Sequence, residues 1–544
     1  VGKKLTMRNE LSKVLACSLS DRARTIIDSP YTRQILEQLP SQEAYLIIKD
    51  SWGTDSQILL QYVNPETVVH FIDLDCWERD AFSIEGLADW LYEIQAASLD
   101  ILMKTLEGLD LETIALLFKS YLEVVHVVPT DEHIADLLDE GFESLDNLYY
   151  FRVIRDDDRE SFIRDLLSLF FSHDQDTYFR IMEGVISEQS SFLEETMFER
   201  RSLRLMEMGF PSSEEALGIY RYSKPSTLLN RGLLKEKTPQ VNKDLHQLPV
   251  AYLDSIFHAG SLIVNALERT TAETQERILY EMIYLANKII MADFKPLNDS
   301  AQIRASMGKA SSIASLGLDM AMHLEKRSAE YILESTNAET LFSIGYTMIL
   351  EQQQRLRRLL FQIEFSMVPE RLNEFVEGLL RKRPLYREEE FSSLQQIERV
   401  KATLDTLEDM VGLISDLHRD REIDSLGKTN VGPGIDLENI LLTSLVVNFS
   451  EGITRFRPLS RDELGSFIHQ ATTLNDLGNR ILLTSASSEL HDLLSMIQPR
   501  ISTERLASVA DMLHSRFEEE CSSIVDIDSL DPRFISCFVV EMQD

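Results

Sequence analysis

Val63-Asn64-Pro65-Glu66-Thr67-Val68-Val69 and Leu109-Asp110-Leu111-Glu112-Thr113-Ile114-Ala115 align in register, with starts 46 residues apart. Each has an apolar entry residue, a polar or Pro-bearing turn, a Glu and an apolar run. The physics of a helix start accounts for that order: Pro fits the first turn, Asn or Asp accepts from free amides, and Glu faces the positive end of the helix dipole. A second kind of start, Phe82-Ser83-Ile84-Glu85, lies between them, and its counterpart Val128-Pro129-Thr130-Asp131 again follows at 46 residues. Leu39-Pro40-Ser41-Gln42-Glu43 is an earlier, partial member. Two interleaved starts on one period predict stacked helical hairpins of the armadillo or HEAT kind over residues 39–140, each pair burying its apolar face on the next.

Working outward, apolar residues keep helical spacing almost everywhere, as in Leu109, Ile114, Leu116, Leu117, Tyr121 and Leu122, and alternating runs between Asn-Gly or Gly-Gly turns are missing. The sequence therefore predicts an all-α protein, an N-terminal α-solenoid followed by a multi-helix C-terminal domain. Breaks in the pattern divide it into a helical segment (1–38), an acidic helical-repeat domain (39–222), a linker (223–249), a long-helix bundle (250–419), a mobile loop (420–436) and a C-terminal helical region (437–544). Lys224-Pro225, Arg231-Gly232 and Pro239 mark the linker, and Gly427, Gly432-Pro433-Gly434 the loop. Long helices are expected at Ala251–Leu267, Thr271–Ala292 and Ala301–Leu333, and caps at Ser460 and Ser502-Thr503.

The 544 residues include 54 Lys+Arg and 90 Asp+Glu, a formal charge of −36, and 44% are hydrophobic, which supports buried cores and excludes general disorder. Four scattered cysteines, Cys17, Cys76, Cys521 and Cys537, exclude a disulfide-rich framework and predict free thiols in a reducing compartment. The longest apolar stretches, 310–322 and 440–449, are too short to span a bilayer, and the N-terminus has no signal-peptide pattern, so a soluble cytoplasmic location is expected. The chain opens on Val rather than Met, which leaves room for a trimmed leader.

The charge is uneven. Residues 51–200 hold 33 acidic and 9 basic side chains, whereas residues 201–400 hold 26 and 25. Such an excess repels phosphate backbones, so nucleic acid is not an expected partner. It is read either as a solvated outer surface or as a face that receives a basic protein partner or weakly bound divalent cations. Asp131, Glu132, Asp136, Asp139 and Glu140 represent that interaction surface, with Trp52, Trp77 and Trp90 as anchors or core residues.

Fragments resembling catalytic motifs fail on their surroundings. Gly427-Lys428-Thr429 ends like a phosphate-binding loop, but Glu422 stands where its first Gly belongs. Ser306-Met307-Gly308-Lys309 lacks the companion elements of Ser-x-x-Lys acylases and reads as packing or surface. Glu123-Val124-Val125-His126 is a lone Glu-x-x-His where a di-iron bundle needs two on facing helices. The cysteines do not form Cys-x-x-Cys pairs, and no catalytic, cofactor or metal residue is assigned. Arg200, Arg201 and Arg204 beside Glu194, Glu195 and Glu199 read as an i,i+4 lattice on one helix. Arg355, Arg357, Arg358, Arg381, Lys382 and Arg383 form basic patches that Glu388–Glu390 neutralise in part.

Glu194-Glu195-Thr196-Met197-Phe198-Glu199-Arg200-Arg201-Ser202-Leu203-Arg204-Leu205, followed by Gly209-Phe210 and Glu215-Ala216-Leu217-Gly218-Ile219-Tyr220, resembles a signature of an uncharacterised bacterial family of helical proteins of similar length. The tail Asp531-Pro532-Arg533-Phe534-Ile535-Ser536 agrees with it. The resemblance covers most of the chain and implies no assigned activity. Residues 39–140 are also similar in cadence to the acidic, hairpin-built cytosolic superhelical domain of magnesium transporters, without the membrane part. The function expected is a protein-interaction or regulatory scaffold rather than an enzyme. Two other readings stay open: a ligand-binding or enzymatic bundle with a pocket in residues 251–365, and a divalent-cation sensor on the acidic repeats.

Overall fold

The computed structural model describes residues 10–542 except 11–12, 15–16, 129–133, 156–157, 228–260, 364, 419–428, 431–433, 476–479, 499–500, 523, 525–526 and 528–530. Most of the linker 223–249 and of the loop 420–436 thus lies outside the described residues, as do Gly427, Lys428 and the start Pro129-Thr130-Asp131. The chain divides into two compact units, residues 1–344 and 345–544. The division falls inside the stretch 250–419.

Unit 1 is mostly helical. In order it holds α1 (Leu19–Ile27), α2 (Thr32–Gln38), α3 (Ser41–Asp50), α4 (Ser56–Leu60), α5 (Pro65–Asp75), α6 (Ile84–Ala97), α7 (Leu99–Gly108) and α8 (Leu111–Tyr121). Then come α9 (Ile134–Asp139), α10 (Glu160–His173), α11 (Gln175–Ser187), α12 (Ser190–Glu207) and α13 (Ser213–Leu217). After the undescribed stretch follow α14 (Leu262–Leu267), α15 (Ala272–Ala292), α16 (Ser300–Glu325), α17 (Ala329–Ser335) and α18 (Ala338–Leu360), which contains the division. Of the starts that opened the sequence reading, those at Asn64, Ser83 and Asp110 are helix starts. Asn64 caps α5 by accepting from the Glu66 amide at 3.2 Å, with Pro65 at the first helical position, and Ser83 caps α6 by accepting from Gly86 at 3.0 Å. α5 packs on α3 and α7, and α8 packs on α6.

The protein is mostly helical, as expected, with a few small strands in the same region. A two-stranded hairpin, β1 (Trp77–Glu78) with β2 (Ala81–Phe82), follows α5. A three-stranded antiparallel sheet in the order β3-β5-β4 joins β3 (Leu122–His126), β4 (Glu143–Ser144) and β5 (Tyr149–Val153) after α8. Leu-Glu-Val-Val-His and Tyr-Tyr-Phe-Arg-Val are rich in β-branched and aromatic residues that fit a half-buried pleated surface. Glu123 and His126 therefore sit on a strand, not on one helix face. The helix expected over 301–333 is also two, α16 and α17: Lys326 turns left-handed at φ 54° and Ser328 caps the new helix by accepting from Tyr331.

Unit 2 contains α19 (Asn373–Leu380), α20 (Leu394–His418), α21 (Leu437–Glu451), α22 (Arg461–Ala471), the hairpin β6 (Thr472–Leu474) with β7 (Arg480–Leu482), α23 (Thr484–Ile497) and α24 (Thr503–Cys521). Ser460 forms a capping box with Glu463, the start expected there. α21 is buried on all sides from Leu437 to Val447 and packs on α20, α22, α23 and α24. The segment after Asp531 completes this core: Cys537, Phe538 and Val540 are fully buried in it, and the Leu459 amide donates to Val539 O at 2.9 Å. Among the described residues no helix is long and apolar enough to cross a membrane.

Candidate functional site

α12 is the organising element of unit 1, because it packs on both α5 and α8, the two helices that share the 46-residue cadence. Its arginines reach those helices instead of its own glutamates. Arg200 pairs with Asp110 at 3.1 Å and Glu112 at 2.9 Å, and Arg204 with Asp73 at 2.6 Å and Asp110 at 2.8 Å. Arg201 is buried, donates from Nε to Asp73 O at 2.8 Å and lies over the Trp77 ring at 5.0 Å. The intrahelical lattice read from the sequence gives way to this clasp, since a buried carboxylate offers more to a guanidinium than an exposed glutamate one turn away.

Electrostatics follow from burial. Loss of solvent pushes the Asp73 carboxyl up, against the pull of Arg204 and Arg201. Burial lowers Arg201 to about 10, so it stays charged at neutral pH. For Arg204 burial also opposes the charge, but Asp73 and Asp110 overcome it and hold the guanidinium above its ordinary value.

Two residues on from Asp73, Asp75 gathers four donors: Tyr45 Oη at 2.8 Å, Lys49 Nζ at 2.6 Å, Trp90 Nε1 at 2.8 Å and Asn298 Nδ2 at 3.1 Å. Burial would raise its carboxyl, and these donors overcome that and lower it. A carboxylate so satisfied is a tie between α3, α5, α6 and the approach to α16, not a base. The remainder of the 194–220 signature plays the same part toward α15. Asn287 Nδ2 donates to Gly209 O at 3.0 Å, Lys288 pairs with Glu215 at 3.4 Å, and the Tyr220 hydroxyl donates to Asp293 at 2.9 Å. Lys309 also meets Asp293, at 2.9 Å, so Ser306 and Lys309 are buried packing residues.

Beside the clasp, α8, α11 and α12 enclose a solvent-open cavity of about 370 Å³. Leu111, Ala115, Phe179, Phe192 and Leu193 supply apolar surface, and Glu112, Glu183, Glu188 and Arg180 supply charge. At its wall α11 approaches α8 closely on Gly184, where a Cβ would stand 3.3 Å from that of Ala115. Lys119 donates from Nζ to Val185 O at 2.5 Å at the end of α11, a charge placed where the helix dipole wants one. The Tyr149 hydroxyl of β5 donates to Glu183; burial and that carboxylate push the phenol up to about 12, so it remains a donor and fixes Glu183. Ser187 donates its hydroxyl to Glu183 O at 2.7 Å and is thereby occupied. The lining offers apolar contact beside the charges of Glu112, Glu183, Glu188 and Arg180.

Of the interaction residues expected from sequence, Asp131 and Glu132 lie outside the described residues. Asp136, Asp139 and Glu140 are exposed at α9 and the turn after it, where Arg152 of β5 donates to Glu140 O at 3.2 Å. Trp90 and Trp77 are buried, and Trp52 is half-buried, edge-to-face with Trp90 at 4.6 Å between ring centroids. Among the described residues no group of three or more His, Cys, Asp or Glu is arranged to hold a metal ion. Sequence reasoning missed the cavity because its three walls come from separate helices. Tyr178-Phe179-Arg180 and Phe192 beside Glu188 were the local signal, aromatic residues among acids.

The chain belongs to a family of unknown function (DUF6178), whose model matches residues 2–541. No curated protein and no solved structure matches it.

Proposed function

We propose that residues 39–222 form a helical-repeat recognition module, a short solenoid in which the cavity between α8, α11 and α12 receives a protein segment carrying an apolar side chain beside Lys or Arg. The observation that carries this reading is the cavity itself, with apolar walls and Glu183 and Glu188 in its lining. The surplus of 33 acidic over 9 basic residues in 51–200 adds a field that steers a basic partner. Asp131, Glu132, Asp136, Asp139 and Glu140 contribute to that field, and the stacking of α3, α5 and α7 supports the solenoid.

The test uses the full chain and short fluorescent peptides in which Leu or Phe is flanked by Lys and Arg, with charge-reversed peptides as controls. Basic peptides are expected to bind with an affinity that falls as salt rises. Phe192→Ala and Glu188→Lys, both at exposed positions, should each weaken binding by about tenfold or more without moving the unfolding midpoint. Equal binding of charge-reversed peptides, or indifference to both substitutions, refutes the assignment.

A further inference from the structure

Cys521 closes α24, and Cys537 lies in the C-terminal segment that completes the core of unit 2. Both side chains are fully buried, and their Sγ atoms stand 4.0 Å apart. The segment is held there by polar contacts to α24. Glu520 accepts from the Ser536 amide at 2.6 Å, the Cys537 amide at 2.7 Å and the Ser536 hydroxyl. Arg516 pairs with Glu520 at 2.6 Å and donates to Ser536 Oγ at 2.9 Å, while Asn439 Nδ2 donates to Ser536 O at 2.6 Å. Between Cys521 and Cys537, positions 16 apart, a disulfide would require the sulfurs to close from 4.0 Å to about 2.05 Å.

We propose that Cys521 and Cys537 form an oxidant-responsive dithiol, converted by a hydroperoxide into an internal disulfide that staples the C-terminal segment to α24. The Cys537 thiolate attacks one peroxide oxygen, the O–O bond breaks, and water or an alcohol leaves, giving a sulfenic acid. The Cys521 sulfur then attacks the sulfenyl sulfur. The S–S bond forms, and hydroxide leaves with the proton of the Cys521 thiol as water. Two thiols and one peroxide yield one disulfide, one water from the condensation and one water or alcohol from the peroxide, the two electrons passing from sulfur to peroxide oxygen. Burial, with Cys521 alongside, pushes the Cys537 thiol well up, so Cys537 holds little thiolate while seated. Oxidation is accordingly gated by release of the segment from Glu520, and reduction restores the seated thiols.

The experiment treats the full chain with hydrogen peroxide, blocks remaining thiols after denaturation, and maps disulfides by mass spectrometry of non-reduced digests. A Cys521–Cys537 peptide pair is expected, absent in Cys537→Ser and forming about tenfold faster in Glu520→Ala, where the segment opens more often. If Glu520→Ala does not fold, wild-type chain in sub-denaturing urea takes its place. The proposal is overturned if both cysteines remain free thiols in wild type and in the loosened form at a peroxide dose that oxidises the part-exposed Cys17, or if the disulfide recovered joins Cys17 or a second chain.

Discussion

Asp75 shows how much one side chain can fix. Removing its carboxylate leaves the Tyr45 hydroxyl and the Trp90 indole without acceptors beside buried rings, with Lys49 unpaired. Asp75→Ala is therefore expected to destabilise unit 1 by about 3–5 kcal/mol, whereas Lys49→Met, at a 42% exposed position, should cost about 1 kcal/mol or less. Urea unfolding followed by tryptophan fluorescence reads both, since Trp90 and Trp52 lie in the affected cluster. Glu438, 1% exposed at the start of α21, gives a pH prediction of the opposite kind. Burial pushes its carboxyl up to about 7, against the pull of Arg371 and Arg516, with Asp436 adding to the rise. The folded state keeps this proton while the unfolded chain loses it near the ordinary carboxylate value, so the contribution falls as pH rises from about 4.5 to 7 and is flat above. The ceiling is roughly 3 kcal/mol. Glu438→Gln should flatten that part of the midpoint-against-pH curve of unit 2, and an unchanged slope would count against it.

At the scale of the element, α12 decides how the N-terminal helices are gathered. Arg204→Ala strands Asp73, a 2% exposed carboxylate, and should cost about 3–5 kcal/mol, with Arg204→Lys a poor substitute because one ammonium cannot reproduce the fork to Asp73 and Asp110. Glu195→Ala on the exposed side should stay within about 0.5 kcal/mol. A double-mutant cycle between Arg204 and Asp73 measures the coupling, and additive losses would refute the clasp. The starts of α5, α6 and α22 were legible in the sequence because a cap and its helix are neighbours in the chain. The targets of α12 were not: Asp73 lies 131 positions from Arg204 and Glu112 lies 88 from Arg200. The strands were missed for a different reason. β1 and β2 have two residues each, too few to show alternation, and β3 follows α8 directly, so one apolar run carries both periods.

Across the whole molecule, the 46-residue cadence placed α5 and α8, while the cavity beside α8 depends on α11 and α12, which lie beyond the cadence and carry no trace of it. A period reports which helices are alike, and a site needs helices that differ. The division into two units has a consequence that can be measured. Unit 2 has its own continuous core, built on α21 and closed by residues 537–540, and the ties described for Asp73, Asp75 and Arg204 all lie within unit 1. Calorimetry of the full chain should accordingly show two cooperative transitions, with Asp75→Ala lowering one and Glu438→Gln moving the other. With an unfolding entropy of about 2.1 cal/mol/K per residue, about 1 kcal/mol shifts the midpoint of a unit spanning residues 1–344 by roughly 1.4 °C, so Asp75→Ala should displace its transition by roughly 4–7 °C. A single transition that both substitutions move together would mean that the units unfold as one, and the residue-scale effects could then no longer be assigned to one unit or the other.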